Sequence, residues 1–155
     1  MKKTSILLTL VVGFGFFVCF PYIFILLTDL LNLPVYNSIF LKALGIFLML
    51  TGSILIIYCS FIFKFIGKGT PVPIEPPKTL VEKSLYKYTR NPIYWGYFSL
   101  ILGEFLIFGH ILLLFYFLAS ILFVNIFVIF YEEPQLKNRF GQAYLDYCKK
   151  VPRWL

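Results

Sequence analysis

Two short polar stretches interrupt an otherwise apolar chain, and both carry side chains that could bind a ligand. In the first, YTRNPIYWGY at residues 88–97, an arginine, an asparagine and a proline precede two tyrosines and a tryptophan. In the second, YEEP at residues 131–134, Glu132 and Glu133 are adjacent. A guanidinium grips a carboxylate through two hydrogen bonds, and aromatic rings stack or face a positive centre. Paired carboxylates can take a ribose diol, an ammonium or a metal.

The elements that must position these groups are apolar helices. Of the 155 residues, 60% are hydrophobic, which is more than a soluble domain carries. A membrane-spanning helix needs about 20 apolar residues, so the chain has room for four spans and no soluble catalytic domain. We predict a single all-α integral-membrane domain, residues 1–155, in which the last two spans form a tight hairpin. The predicted spans are about 5–28, 39–63, 93–109 and 111–131.

The basic residues predict the orientation of these spans. Net charge is +7, and cytoplasmic segments collect lysine and arginine. If both termini are cytoplasmic, a loop over 64–92 and a tail over 132–155 are cytoplasmic too. Every basic residue except Lys42 then lies on that side, so the charge indicates orientation rather than nucleic-acid binding. Prolines in the loop favour extended backbone, and Pro21 predicts a kink in the first span.

The tail has the pattern of an amphipathic helix. Pro134 suits the first turn of a new helix, and the acids before it favour a helix N-terminus. Apolar residues then recur at three- and four-residue steps, which predicts a cytoplasmic helix at the membrane surface. The residues on that apolar face are Leu136, Phe140, Tyr144, Tyr147 and Val151.

A tight hairpin between the last two spans brings the polar stretches together at the cytoplasmic boundary. Arg90 opens this hairpin and Glu132 with Glu133 closes it. S-adenosylmethionine carries a carboxylate, an ammonium, a sulfonium, a ribose and an adenine, so it would use all of these groups. Other interpretations stay open: the aromatic residues suit a membrane interface, Arg90 suits lipid phosphate, and the acids suit a helix start. No metal is expected, because the lone histidine, His110, falls on the opposite face.

Two sequence patterns carry a family resemblance. The pattern R-[NH]-P-x-Y-x-G is met by Arg90, Asn91, Pro92, Tyr94 and Gly96, and the acid pair follows an apolar hairpin. The tail pattern F-G-x-x-Y-x-x-Y is met by Phe140, Gly141, Tyr144 and Tyr147. Over about residues 67–155 the chain resembles the integral-membrane methyltransferases, of the isoprenylcysteine carboxyl methyltransferase-like and phospholipid methyltransferase-like families.

The resemblance implies an S-adenosylmethionine-dependent methyltransferase with its pocket at the cytoplasmic side. Arg90 and Asn91 would be the catalytic residues, positioning the methionine end or the acceptor. The implied acceptor is a lipid or another small apolar molecule, and the pocket fits within one chain, so a monomer is expected. The implied cofactor-binding residues are Leu80, Tyr88, Arg90, Asn91, Pro92, Tyr94, Gly96, Glu132, Glu133, Tyr144 and Tyr147.

Two other functions compete with this one. A non-enzymatic membrane protein of the same fold could bind lipid head groups, and a small transporter-like or assembly subunit could carry a polar line through its spans. Glu104 and Asn125 hint at such a line. For Glu104 we predict interhelical hydrogen bonding, with Asn125 as one candidate partner; the alternatives are a function on the acceptor side and a chance position facing lipid. Gly45 and Gly52, seven residues apart, predict close packing of the second span against a neighbour.

Overall fold

A computed structural model of the chain describes residues 3–69 and 77–155; residues 70–76 of the predicted extended loop, and Lys2, lie outside them. The described part is all-helical, as predicted, and carries five longer helices and a short 3-10 helix, Ser84–Lys87. Three segments are long and apolar enough to cross a membrane: Leu10–Leu30, Ile39–Gly67 and Ile111–Phe140. The helices are α1 (3–30), α2 (Ile39–Gly67), α3 (Pro92–Phe108), α4 (Ile111–Phe140) and α5 (Gln142–Lys150).

A two-residue turn joins α3 to α4. Gly109 ends α3 with φ of 73°, a conformation that only glycine adopts without strain. Its N–H donates to the Phe105 carbonyl at 2.7 Å, and a Cβ at this position would lie 1.8 Å from the Tyr36 carbonyl oxygen. His110 completes the turn and lies 3.3 Å from Asp29, so the end of α1 packs at the same place. The turn sets α3 and α4 side by side.

Glycines let α2 and α3 approach backbone to backbone. A Cβ on Gly52 would lie 2.8 Å from the Gly96 carbonyl oxygen, and one on Gly96 would lie 2.9 Å from that of Gly52. Gly45 and Gly103 make the same reciprocal contact at 2.7 and 2.8 Å. The predicted packing role of Gly45 and Gly52 is confirmed, and the partner glycines share their seven-residue spacing. This contact fixes the position of α3 and of the residues that precede it.

A π-helical segment accommodates Pro21 within α1. The backbone of Gly15–Cys19 is π-helical, with hydrogen bonds spanning five residues rather than four. Pro21 has no N–H to bond the Phe16 carbonyl five residues earlier. The Tyr116 hydroxyl of α4 donates to that carbonyl instead, at 2.9 Å. The proline therefore creates an interhelical hydrogen bond, one of the recognised ways in which membrane helices tolerate proline.

The helix does not begin anew at Pro134. The segment Val128–Glu132 is π-helical and continues directly into Glu133–Phe140, so α4 runs unbroken past the acid pair. The predicted helix N-terminus at the acids is wrong, because the backbone stays helical through them: the Glu133 N–H bonds the Val128 carbonyl. Glu132 and Glu133 therefore project from the side of a continuous helix, in different directions.

Candidate functional site

Glu133 lies between two arginines. Arg153, near the C-terminus, donates from Nε to Oε1 at 2.6 Å and from Nη2 to Oε2 at 3.0 Å. Arg90, two residues before α3, reaches Oε1 from Nη1 at 3.0 Å. The three side chains are 12–32% exposed, so these charges are largely removed from water. The hydrogen bond to Glu133 raises the pKa of the Arg153 guanidinium.

Glu132 belongs to a different environment. Its Oε1 accepts a 2.6 Å hydrogen bond from the Tyr94 hydroxyl of α3. Both residues line a cavity of about 660 Å³ whose walls come from α1, α2, α3 and α4. The remaining lining is apolar or uncharged, with Phe16, Phe17, Ile56, Phe98 and Phe127 among it. Glu132 therefore places one carboxyl group in the cavity lining, at the end nearest the arginine pair.

The C-terminal segment ties the start of α3 into the cluster. The Arg90 N–H donates to the Pro152 carbonyl at 3.0 Å. The Arg153 carbonyl accepts from the Thr89 hydroxyl at 3.0 Å and from Asn91 Nδ2 at 3.2 Å. These bonds hold Arg90 and its two neighbours in the chain, so Arg90 has little freedom to move away from Glu133.

A buried tyrosine cluster supports Arg90 from α5. The Tyr144 hydroxyl accepts from Arg90 Nη1 at 3.3 Å, and the Cys148 Sγ accepts from the same nitrogen at 2.8 Å. Burial raises the pKa of Tyr144, so this hydroxyl stays protonated at neutral pH. Tyr147 donates to the Tyr86 carbonyl at 2.6 Å, and burial raises the pKa of its hydroxyl too. Leu80 packs against the hydrophobic cluster that Tyr144, Tyr147 and Val151 form.

Comparison with known proteins decides the family. The family model for phospholipid methyltransferase matches residues 40–143, two thirds of the chain. The chain belongs to the phospholipid methyltransferase family. It is also similar to the protein-S-isoprenylcysteine O-methyltransferase of Schizosaccharomyces pombe, with 34% identity over 79 residues that cover 47% of this chain and 31% of the relative. No solved structure matches the chain. The predicted membership of the membrane methyltransferases is confirmed.

The match to the phospholipid methyltransferase family covers α2, α3 and α4. It therefore includes Arg90, Asn91 and both acids. It ends at residue 143, before Tyr144 and the C-terminal segment. The chain spans about a third of the length of the curated relative that it matches. The part with a family counterpart thus supplies Arg90 and Glu133, and the part beyond it supplies Arg153.

The predicted site residues fall into three groups. The first group lies around the arginine cluster and the adjoining end of the cavity. Its members are Leu80, Arg90, Asn91, Tyr94, Glu132, Glu133, Tyr144 and Tyr147. Pro92 is buried at the start of α3, and Gly96 faces α2 rather than the cluster. The Tyr88 side chain is 68% exposed. The roles assigned to these residues in binding a cofactor remain predictions.

Three residues of the site were not predicted: Arg153, Cys148 and Trp154. The sequence did hold one signal that Arg153 pairs with the acids. The chain has few acidic residues, so an arginine in the short tail that follows Glu132 and Glu133 has few other carboxylates to pair with. Trp154 packs against Tyr94 and Phe98 with ring centroids 6.2 and 6.3 Å apart. Its indole N–H donates to Asn125 Oδ1 at 3.1 Å.

The structure does not pair Glu104 with its candidate partner Asn125. Asn125 lies toward the end of α4 that carries the acids, where it accepts from Trp154. Glu104 is buried near the opposite end of α3, close to Tyr116. Its Oε2 has no hydrogen-bond partner among residues 3–69 and 77–155. The two residues differ in depth, because Glu104 lies five residues from Gly109 and Asn125 lies sixteen residues from it.

Proposed function

We propose that this chain transfers a methyl group from S-adenosylmethionine to a lipid or other small apolar acceptor at the cytoplasmic membrane face. The observation that carries the proposal is the meeting of two environments at Glu132. On one side lies the polar cluster around Arg90, and on the other lies an apolar cavity of about 660 Å³. Small-molecule sites are cavities of this size, mostly apolar with a few placed polar groups.

The residues present fit the cofactor. Arg90 carries a buried Nε without a partner among the described residues, which suits an anionic group. Glu132 and the aromatic side chains of Tyr94 and Tyr144 suit an ammonium, a ribose hydroxyl or a sulfonium. Glu133 would act mainly by holding Arg90 in place. The wider predicted pocket adds Leu80, Tyr88, Asn91, Pro92, Gly96 and Tyr147.

When bound, the cofactor supplies a methyl group on a positively charged sulfur. The bound cofactor would donate that methyl group to the acceptor by direct displacement, with S-adenosylhomocysteine as the product. Such a displacement depends on positioning and exclusion of water. In this chain the fixed backbone around Arg90 and Asn91 would position the reactants, and the apolar cavity walls would exclude water from the transfer.

We further propose that α3 is a fourth span, shorter than the other three, and that both termini are cytoplasmic. At 17 residues, α3 extends about 25 Å, somewhat less than a hydrocarbon core of about 30 Å. Its polar start would then sit within the inner leaflet. This orientation is supported by the basic residues, since all except Lys42 fall on one side of the four spans. Helix α5 would lie at that surface.

Replacing Glu132 by glutamine tests the proposal. The amide keeps the size of the side chain but replaces one carboxyl oxygen, a hydrogen-bond acceptor, by an NH2 group, and it cannot ionise to pair with a ligand cation. A hydrogen bond to a charged group contributes about 1.5–3 kcal/mol, so we expect affinity for S-adenosylhomocysteine to fall at least tenfold. Isothermal titration of the purified protein in detergent measures this, and transfer of labelled methyl groups to membrane lipids measures the reaction.

Asp29→Asn is the matched control. Asp29 lies at the opposite end of the helices, beside His110, so the substitution should leave affinity within twofold of wild type. Absence of saturable S-adenosylhomocysteine binding by the wild-type protein would rule out the proposed function. Equal affinity in the wild-type and Glu132→Gln proteins would instead remove Glu132 from the site.

A further inference from the structure

Arg90 makes its side-chain contacts from one nitrogen. Its bonds to Tyr144, Cys148 and Glu133 all come from Nη1. The Nε–H is buried and has no partner within the described residues, and Nη2 takes no part in the contacts described for them. Nε and Nη2 form the side edge of a guanidinium, which presents two parallel N–H groups and matches a carboxylate. A buried donor without a partner costs about 1–3 kcal/mol, so the edge suits a ligand.

The charges around this edge favour an anion. Arg153 binds both oxygens of Glu133, at 2.6 and 3.0 Å. Two guanidiniums against one carboxylate leave one positive charge uncompensated within the cluster. Arg90 also lies at the start of α3, whose N-terminus carries a partial positive charge. Without Arg153, Glu133 would be the natural bidentate partner of Arg90, and the edge would turn toward it.

We propose that Arg153, by neutralising Glu133, reserves the Nε–Nη2 edge of Arg90 for a carboxylate. Resting on the proposed function, this assigns the edge to the carboxylate at the amino-acid end of the cofactor. Arg153 is then a positioning residue that acts through Glu133. A lipid phosphate is the less suitable occupant, because the Arg90 side chain is only 12% exposed, whereas exposed Lys149 and Lys150 meet a membrane surface first.

Paired ligands test the assignment. S-adenosylhomocysteine is compared with its decarboxylated analogue, which keeps the adenosine, the sulfur and the amine. Removal of the carboxylate should weaken binding to the wild-type protein at least tenfold. In Arg90→Met the two ligands should bind within threefold of each other, since the edge is gone. Isothermal titration in detergent gives all four affinities.

Arg153 has its own arm of the experiment. Arg153→Met should weaken S-adenosylhomocysteine binding. It should also reduce the difference in binding free energy between the two ligands to less than half of the wild-type difference. Arg153→Lys, which keeps the charge near Glu133, should restore part of that difference. Arg139→Met is the control, because Arg139 donates to the Pro77 carbonyl at 3.1 Å outside the cluster; it should leave the difference unchanged. If the role of Arg153 were purely structural, Arg153→Met would lower thermal stability without changing the difference in affinity between the two ligands.

The outcomes separate this inference from the proposed function. If the wild-type protein binds neither ligand, the proposed function fails. If it binds both equally, or if the difference persists in Arg90→Met, the cofactor binds but the inference is overturned. Should Arg90→Met not fold, Arg90→Lys replaces it and should lose most of the difference, because lysine lacks the two-donor edge. A wild-type difference that disappears in anionic nanodiscs but not in neutral ones would assign the edge to lipid phosphate and also overturn the inference.

Discussion

Replacing Glu133 by alanine should destabilise the protein by about 3–5 kcal/mol and abolish methyl transfer. Removing one partner of a largely buried ion pair leaves the other charge without compensation, and the cost is of that size. Here one carboxylate serves two guanidiniums, Arg90 and Arg153, so its loss leaves two positive charges close together. Reversible unfolding in mixed detergent measures the stability, and labelled methyl transfer measures the activity.

Asp146→Ala is the control for this variant. Asp146 also accepts from a basic side chain, Lys149 at 3.0 Å, but both side chains are about half exposed or more. Exposed pairs contribute about 0–1 kcal/mol, so Asp146→Ala should unfold close to wild type. If Glu133→Ala and Asp146→Ala proved equally stable, the ion pairs of Glu133 would not form a buried network.

Replacing Gly96 by alanine should destabilise the protein by about 1–3 kcal/mol, the usual cost of overpacking. The new Cβ would lie 2.9 Å from the Gly52 carbonyl oxygen and 2.7 Å from the Ile56 side chain. Backbone cannot yield as a side chain does, so α2 and α3 must separate. Methyl transfer should fall as well, because Arg90 is carried by the segment that leads into α3.

Gly15→Ala provides the comparison, with an effect of opposite sign. A Cβ on Gly15 meets nothing within 4 Å, and alanine favours a helix by up to about 1 kcal/mol over glycine. Gly15→Ala should therefore unfold at or slightly above wild-type stability. Equal tolerance of alanine at Gly15 and Gly96 in the unfolding assay would mean that α2 and α3 are not in backbone contact.

Periodicity and composition were enough to predict the helices and part of their packing. Apolar runs of spanning length indicated the helices, and the Gly45–Gly52 spacing indicated a close contact. Arg90 and the acid pair could be placed together because a two-residue turn at Gly109 forces α3 and α4 to run side by side. These inferences need only local geometry and the length of a helix.

The different roles of the two acids could not be predicted in this way. Adjacent helical residues point about 100° apart, but which of them meets an arginine depends on the path of the chain after α5. That path brings Arg153 back to Glu133 over 20 residues. The π-helical turn before Pro134 likewise rotates the acids in a manner that a standard helical wheel does not reproduce. The packing role of Gly96 and Gly103 was not predicted, because Gly96 also belongs to the family pattern and was assigned to the cofactor site.

The start of α3 and the acids of α4 should behave as one ligand site. The affinities of wild-type protein, Arg90→Met, Glu133→Gln and the double variant for S-adenosylhomocysteine decide whether they do. If the residues act together, the double variant should bind no more than about threefold more weakly than the weaker single variant. Losses that multiply would show that Arg90 and Glu133 contribute separately, which would contradict the claim that they act as one unit.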